Sequence, residues 1–218
     1  RPPPNPSAWR PLCMRAWPPH RNQEILYGHT ATGSYKLAGS CAWKHFLDEG
    51  LVPALAAMMA GGDVVDLGAG CGCYTAALLD WGTVRSVAAF DGSPGIDNVT
   101  DGLVQPVDLT WNLTSWLRPH HWTLCLEVGE HVSRRFESTV FANLVARVSV
   151  GVVLSWAEPD QPGLGHVNLH TNEYVILRMK LHGFLLDRDA TKLLRTAATL
   201  FWFKRTIMAF QRTSTSPV

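Results

Sequence analysis

The run from residue 63 to residue 73, Asp-Val-Val-Asp-Leu-Gly-Ala-Gly-Cys-Gly-Cys, restricts the fold more than any other segment. Its first five residues form a short, β-branched apolar run with the length of a buried strand. Gly68, Gly70 and Gly72 follow, and residues 74–81 have the pattern of a helix. Glycines at a strand-to-helix turn let the backbone approach a ligand closely, and amides that open a helix favour negative groups. The segment predicts a ligand-binding loop in an α/β protein.

The rest of the chain alternates between strand and helix patterns, which predicts a mostly parallel sheet with helices on both faces. Residues 91–103 are too short for a full crossover helix, so we expect that helix to be reduced to a turn. Strands are predicted at 63–67, 84–90, 103–107, 122–128, 148–156 and 201–212, and further helices at 42–59, 138–147, 172–182 and 187–199.

Composition indicates the domain organisation and limits the classes of binding partner. With 218 residues, 46% hydrophobic and 17% charged, the chain suits one globular domain, residues 27–218. Seven prolines in the first 22 residues predict an N-terminal arm over residues 1–26. The net charge of +1 argues against a nucleic-acid partner. The longest apolar stretch, 148–156, is too short to span a membrane.

Five scattered cysteines form no paired C-x-x-C motif, and we interpret them as mostly free thiols. Free thiols are typical of a reducing compartment, so the sequence predicts a cytoplasmic protein. The acidic residues form no Asp-Asp-Asn cluster, and the prediction is that no metal is bound.

The glycine spacing differs from G-x-G-x-x-G of dinucleotide-binding proteins, and no Gly-Lys-Ser/Thr of a P-loop follows. The run 66–72, Asp-Leu-Gly-Ala-Gly-Cys-Gly, resembles motif I of class I S-adenosylmethionine-dependent methyltransferases. The runs 126–132 and 165–168 are also similar to a group of small methyltransferase-domain proteins. The resemblance implies a Rossmann-like, doubly wound sheet of seven strands, with S-adenosylmethionine as cofactor and S-adenosylhomocysteine as product.

Polar residues at the ends of four predicted strands agree with this cofactor, because ligands of open α/β sheets bind at the carboxyl edge. An acidic group at the end of the second strand can accept hydrogen bonds from both ribose hydroxyls. In the family, the acidic residue after the third strand binds the adenine amino group. The predicted cofactor-binding residues are Asp66, Gly68, Ala69, Gly70, Cys71, Asp91, Gly92, Asp108, Leu109 and Glu127.

The methyl acceptor is expected beside the ends of the fourth and fifth strands. Glu130 and His131 follow the fourth strand, and His166 lies in a long loop after the fifth; these three are the candidate catalytic residues. A helix-capping role for His131 fits the sequence equally well. Candidate acceptor-binding residues are Tyr35, Trp156 and Asn168, although hydrogen bonding within the loop explains Asn168 at least as well.

The sequence favours a methyltransferase whose acceptor is a small molecule with an N, O or S nucleophile. A protein or peptide methyltransferase, with the arm docking a protein partner, is the alternative. A non-catalytic cofactor- or partner-binding protein with the same fold is a third possibility, which the intact glycine loop and the carboxylates at Asp66, Asp91 and Asp108 disfavour. The missing Asn/Asp-Pro-Pro-Tyr/Phe motif argues against a base-amino RNA methyltransferase.

Overall fold

The structure is a computed structural model and describes residues 46–213. The arm, 1–26, and Tyr35 lie outside these residues. The strands are β1 (Asp63–Leu67), β2 (Ser86–Asp91), β3 (Val104–Pro106), β4 (His120–Cys125), β5 (Val148–Leu154), β6 (Phe184–Leu186) and β7 (Met208–Arg212). The helices are α1 (Leu51–Met58), α2 (Cys73–Trp81), α3 (Ile96–Val99), α4 (Glu137–Val145), α5 (Asn172–Leu181), α6 (Arg188–Ala197) and α7 (Phe203–Thr206).

The seven strands form one sheet in the order β3-β2-β1-β4-β5-β7-β6. Strands β1 to β5 are parallel, and β7 runs antiparallel between β5 and β6. Asp66 of β1 lies opposite Ala89 of β2 and Leu124 of β4, so the carboxyl ends of these strands meet at one edge. The predicted fold, a mostly parallel seven-stranded sheet, is confirmed.

Alternate residues of the central strands point to opposite faces and bury two apolar layers. On one face Val65 and Leu67 pack with Phe141 of α4 and Met179 of α5. On the other, Val64 belongs to the layer formed by α1, α2 and α6, whose buried residues include Leu51, Leu55, Leu78 and Leu194. Both faces of the parallel strands are therefore covered, as their near-continuous apolar sequences require.

Several details differ from the predicted elements. Within the described residues, the helix predicted over 42–59 begins only at Leu51. The predicted strand 201–212 begins as helix α7, and only Met208–Arg212 joins the sheet. Trp202 and Phe203 are buried against the α1–α6 layer, and this packing overrides the strand propensity of their aromatic side chains. The edge strand β6 was not predicted because only three residues pair. The reduced crossover helix is confirmed as the four-residue α3.

The cysteines correct one prediction. Cys71 takes part in a disulfide bond and so does Cys73, whereas Cys125 is a buried free thiol. The argument for a reducing compartment rested on free thiols, so these two residues remove its basis. Separately, none of the helices within residues 46–213 has the length and apolar character needed to cross a membrane.

Candidate active site

The loop after β1 folds over the end of the neighbouring strand. The backbone N–H groups of Gly68 and Ala69 both donate to the carbonyl of Phe90, over 2.8 and 3.0 Å. The chain then turns into α2, which begins at Cys73. These bonds fix the glycine loop at the carboxyl edge of the sheet, directly beside the last residue of β2.

That last residue, Asp91, ties the loop to the strand. One oxygen of its carboxylate accepts a hydrogen bond from the N–H of Gly70 at 2.9 Å, and the other accepts one from Ser93 at 2.8 Å. The predicted ribose-binding carboxylate thus lies in contact with the glycine loop. This is the arrangement in which Rossmann-like proteins present an acidic side chain to a ribose diol.

Asp66 lies beneath the loop in a buried position and accepts a hydrogen bond from the hydroxyl of Thr75 at 2.6 Å. Burial raises the pKa of Asp66 to about 7, and the charge of Asp91 adds to the increase, while the bond from Thr75 opposes it. Near neutral pH this carboxyl group is therefore poised between its protonated and ionised forms.

The raised pKa of Asp66 predicts a pH-dependent stability. Because the folded form holds this proton more tightly than the unfolded chain, the stabilisation is fully present below the ordinary pKa of 3.8 and is lost as pH rises through about 7. Urea unfolding of wild type and Asp66→Asn at pH 5.5 and pH 8 isolates this contribution from those of other groups. We expect wild type to lose more stability than the variant at pH 8, and equal losses would contradict the prediction.

Position 68 requires glycine for two reasons, its backbone conformation and its close neighbours. Its φ of 76° is rare for L-residues, and a Cβ there would lie 2.3 Å from a methyl group of Val128. Gly61 has a similar φ of 71°, but nothing lies within 4 Å of its hypothetical Cβ. Alanine substitutions at Gly61 and Gly68 therefore distinguish the cost of backbone strain from the cost of a steric collision.

We expect Gly61→Ala to cost about 1 kcal/mol of unfolding free energy and Gly68→Ala about 3 kcal/mol, because only the second substitution adds a collision with Val128 to the backbone strain. Chemical denaturation of both variants measures the difference. Equal losses would show that Val128 does not restrict the loop.

The third strand end carries Asp108 in a tight turn. Its Oδ1 accepts hydrogen bonds from the backbone N–H and the hydroxyl of Thr110, at 2.8 and 2.7 Å. The next residue, Leu109, is buried, and its carbonyl accepts a bond from the side-chain amide of Asn143. These contacts hold the segment predicted to bind adenine against the α4 side of the sheet.

Beyond β4 the chain leaves the sheet at Glu127, whose φ of 55° lies in the left-handed region. Gln161 donates to one oxygen of its carboxylate at 2.6 Å, and Thr206 donates to the other at 3.4 Å. Burial raises the pKa of Glu127, although hydrogen bonds from Ser155 and Gln161 act in the opposite direction. Sequence reasoning missed Gln161 and Thr206, since neither lies near Glu127 in the chain.

Glu130 and His131 lie on a 3₁₀ turn, Gly129–His131, that follows directly. Glu130 is completely buried, and its carboxylate oxygens have no hydrogen-bond partner within residues 46–213. Burial raises the pKa of Glu130 well above its usual value, and the charge of Glu127 raises it further. Two carboxyl groups therefore share one buried pocket.

The structure brings His166 to the same pocket. The rings of His131 and His166 meet edge to face, with centroids 5.0 Å apart. One ligand-capable atom from each of Glu130, His131 and His166 lies within 4.8 Å of the others. The three residues predicted to be catalytic are thus adjacent, although 35 positions separate the two histidines.

Trp156 and Asn168 occupy a different position from the one predicted. Both are buried, the Trp156 indole N–H donates to the carbonyl of Asn168, and its ring stacks on Phe141. A Cβ on Gly129 would lie 2.2 Å from that ring. Trp156 therefore packs beneath the turn that carries Glu130, and it does not line an open acceptor pocket.

The side chain of Asn168 belongs to a buried polar network that the sequence did not reveal. Its amide donates to Glu137 at 3.2 Å, and His170 bonds to the same carboxylate at 2.5 Å. Tyr174 and Arg178 contact the other oxygen of Glu137. This network fastens the 157–170 loop to α4 and α5, so Asn168 positions the loop that carries His166.

No protein-family model matches the chain, and no curated protein sequence matches it. Solved structures do match. The magnesium protoporphyrin IX methyltransferase of Synechocystis PCC 6803, crystallised with bound S-adenosylhomocysteine, aligns with a TM-score of 0.54 and 18% identity over 74% of this chain and 82% of that chain.

Two further structures share the fold. The small RNA methyltransferase HEN1 aligns with a TM-score of 0.57 and 15% identity over 79% of this chain, but only 26% of that chain. The [4+2]-cyclase SpnF aligns with a TM-score of 0.53 and 11% identity over 75% of this chain and 80% of that chain. Identities of 11–18% establish the fold alone. The chain therefore has the class I methyltransferase fold.

Proposed function

We propose that this protein is an S-adenosylmethionine-dependent methyltransferase. The observation that carries the proposal is the contact between the Asp91 carboxylate and the N–H of Gly70, at the carboxyl edge of the sheet. It joins the glycine loop and the acidic strand end, the two features expected of a nucleoside-binding Rossmann-like site. The crystallised magnesium protoporphyrin IX methyltransferase holds S-adenosylmethionine or its product on the same fold.

The polar groups at the carboxyl edge of the sheet suit this cofactor. S-adenosylmethionine has a ribose diol, an adenine amino group and two cationic centres, the sulfonium and the α-ammonium. Asp91 and Gly92 would take the ribose, Asp108 and Leu109 the adenine, and the loop residues with Asp66 the methionine portion. Glu127 adds a carboxyl group where the sulfonium would lie. The loop residues are Gly68, Ala69, Gly70 and Cys71.

Bound cofactor supplies an electrophilic methyl group, which the acceptor attacks in line as the carbon–sulfur bond breaks. The chain's own residues hold the acceptor in that line and exclude water, which can contribute several kcal/mol. Burial lowers the pKa of His166 and keeps its imidazole neutral near pH 7, so the ring carries one nitrogen lone pair that can serve the reaction. Glu130 and His131 form the adjoining wall of the pocket.

We propose a small-molecule acceptor. The proposal is supported by the short 3₁₀ turn and the 157–170 loop, which border the site within residues 46–213, and by the near-neutral net charge. A peptide acceptor docked by the proline-rich arm is the alternative, and the arm and Tyr35 lie outside the described residues. Labelled methyl transfer to pooled metabolites and to peptide arrays separates the two.

Calorimetric titration with S-adenosylmethionine and S-adenosylhomocysteine tests the cofactor, with NADH as a matched nucleotide control. We expect both methyltransferase ligands to bind at micromolar concentration and NADH to bind at least about 100-fold more weakly, since the glycine spacing differs from that of dinucleotide-binding loops. Binding of NADH alone, or of none of the three, would overturn the proposal.

A further inference from the structure

The Glu130 carboxyl group lies in a fully buried site beside a second carboxyl group. It is fully inaccessible, and neither oxygen makes a hydrogen bond of good geometry within residues 46–213. The backbone N–H groups of Glu130 and Ala157 lie close enough to favour its ionised form, and the carboxyl group of Glu127 adjoins it. Burying one unpaired carboxylate is costly, and a second like charge beside it adds to the cost. Without a cation the pair avoids this cost by keeping a proton, and a cation between the two groups would allow both to ionise.

His131 and His166, next to Glu130, offer ring nitrogens that are suited to binding a metal ion. Nδ1 of His131 faces the carbonyl of Gly165 at 3.2 Å, and Nδ1 of His166 faces the carbonyl of Gln161 at 3.1 Å. A carbonyl only accepts hydrogen bonds, so Nδ1 carries the proton in both rings and the lone pair is on Nε2. Metal-binding histidines are held in this way, with the second nitrogen donating to a backbone carbonyl.

We propose that Glu127, Glu130, His131 and His166 form a binding site for a divalent transition-metal ion. Ligand atoms around such an ion lie about 3 to 4 Å apart, because each is about 2.1 Å from the metal. The 4.8 Å within which Glu130, His131 and His166 already converge needs only small side-chain rotations. Mixed imidazole and carboxylate ligands favour Mn²⁺, Fe²⁺, Co²⁺ or Zn²⁺ over Ca²⁺ or Mg²⁺.

The position of the site indicates the acceptor class, an extension that rests on the proposed methyltransferase function. Val128, between two residues of the pocket, packs against Gly68 of the cofactor loop, so the metal lies at the cofactor's edge of the sheet. An acceptor hydroxyl bound to the ion loses its proton to water more readily. Its oxygen then bonds to the methyl carbon as the carbon–sulfur bond breaks. The acceptor is thus an alcohol or polyol.

Metal binding is tested on untagged protein treated with EDTA and dialysed, titrated with Co²⁺ by visible absorption and with Mn²⁺ and Zn²⁺ by calorimetry. We expect one equivalent to bind, and Glu130→Gln and His166→Ala to weaken binding at least about 10-fold. Glu173→Gln and His121→Ala remove a carboxylate and an imidazole elsewhere and should bind like wild type. Absent binding, or equal binding by all variants, would overturn the site.

Gly163→Ala adds a variant that keeps every ligand. Its Cβ would lie 2.0 Å from Nε2 of His166, so the ring must shift. We expect weaker Co²⁺ binding and an altered absorption band, with wild-type circular dichroism. Glu130→Gln removes a buried carboxyl group that lies beside a second one, so the metal-free variant should melt no lower than metal-free wild type. A much lower melting temperature would show that Glu130 has a structural role instead.

The same preparations are titrated with S-adenosylmethionine, which separates the two proposals. Cofactor binding without metal binding would overturn only the metal site, and metal binding without cofactor binding would overturn only the methyltransferase function. Labelled methyl transfer to alcohols and polyols should require Mn²⁺ and stop with EDTA. Transfer to amines or thiols that persists in EDTA would overturn the alcohol as acceptor class, but it would not contradict the metal site itself.

Discussion

Asp91→Ala is expected to weaken binding of S-adenosylmethionine about 100-fold. The wild-type carboxylate would accept hydrogen bonds from both ribose hydroxyls, and each charge-assisted bond contributes about 1.5 kcal/mol or more. Its present bonds to Gly70 and Ser93 hold the loop in place, so the alanine variant also loses that order. Calorimetry with S-adenosylhomocysteine measures the same loss without turnover.

Asp91→Asn and Asp97→Ala are the matched controls. Asparagine keeps one carbonyl oxygen for the loop but loses the charge, so we expect an affinity between those of wild type and Asp91→Ala. Asp97 is a nearby carboxylate on α3, and its removal should leave the dissociation constant within about twofold of wild type, since surface charges act weakly at a distance. Unchanged affinity in Asp91→Ala would exclude the glycine-loop site as the cofactor site.

Asp48→Ala is expected to cause a large loss of stability, about 4 kcal/mol, because it leaves several donors without an acceptor. The buried Asp48 carboxylate accepts bonds from the N–H groups of Gly50 and Leu51 before α1. It also accepts bonds from the N–H and hydroxyl of Thr199 and from the N–H of Leu200, each at 2.8 Å. One side chain thus joins the start of α1 to the end of α6.

Thermal and urea unfolding measure this loss, which corresponds to a fall in melting temperature of about 10 °C in a domain of this size. Asp48→Asn retains one acceptor oxygen and should lose about half as much. Asp189→Ala, an exposed acidic residue on α6, should change stability by less than about 0.5 kcal/mol. A loss below about 1 kcal/mol in Asp48→Ala would mean that water replaces the carboxylate.

Much of the fold could be predicted from local signals. The apolar run before Gly68 and the helical spacing after it indicate a strand, a tight turn and a helix, because each depends on residues only a few positions apart. The position of Asp91 follows from the rule that parallel strands end at the same edge. The short segment after Asp91 also set the reduced helix α3, since chain length alone limits what can form there.

The site beyond β4 could be predicted only as a set of candidates. Glu130 and His131 are neighbours in sequence, but their proximity to His166 depends on how the 157–170 loop returns across the pocket. The bond from Thr206 to Glu127 spans 79 positions and has no local sequence pattern. Trp156 and Asn168 looked like site residues because they follow a strand, yet packing against Phe141 and Glu137 places them in the interior.

The sequence by itself determined the glycine loop, the mostly parallel sheet with helices on both faces, and the acidic strand ends, because these depend on short-range periodicity and backbone chirality. Only the tertiary structure decided the contacts that close the molecule, such as Asp48 with Thr199, 151 positions away, and Glu137 with His170. These are pairings of buried polar groups across distant segments. Their partners are chosen by whichever donors the completed packing brings within hydrogen-bond distance, which no local pattern specifies.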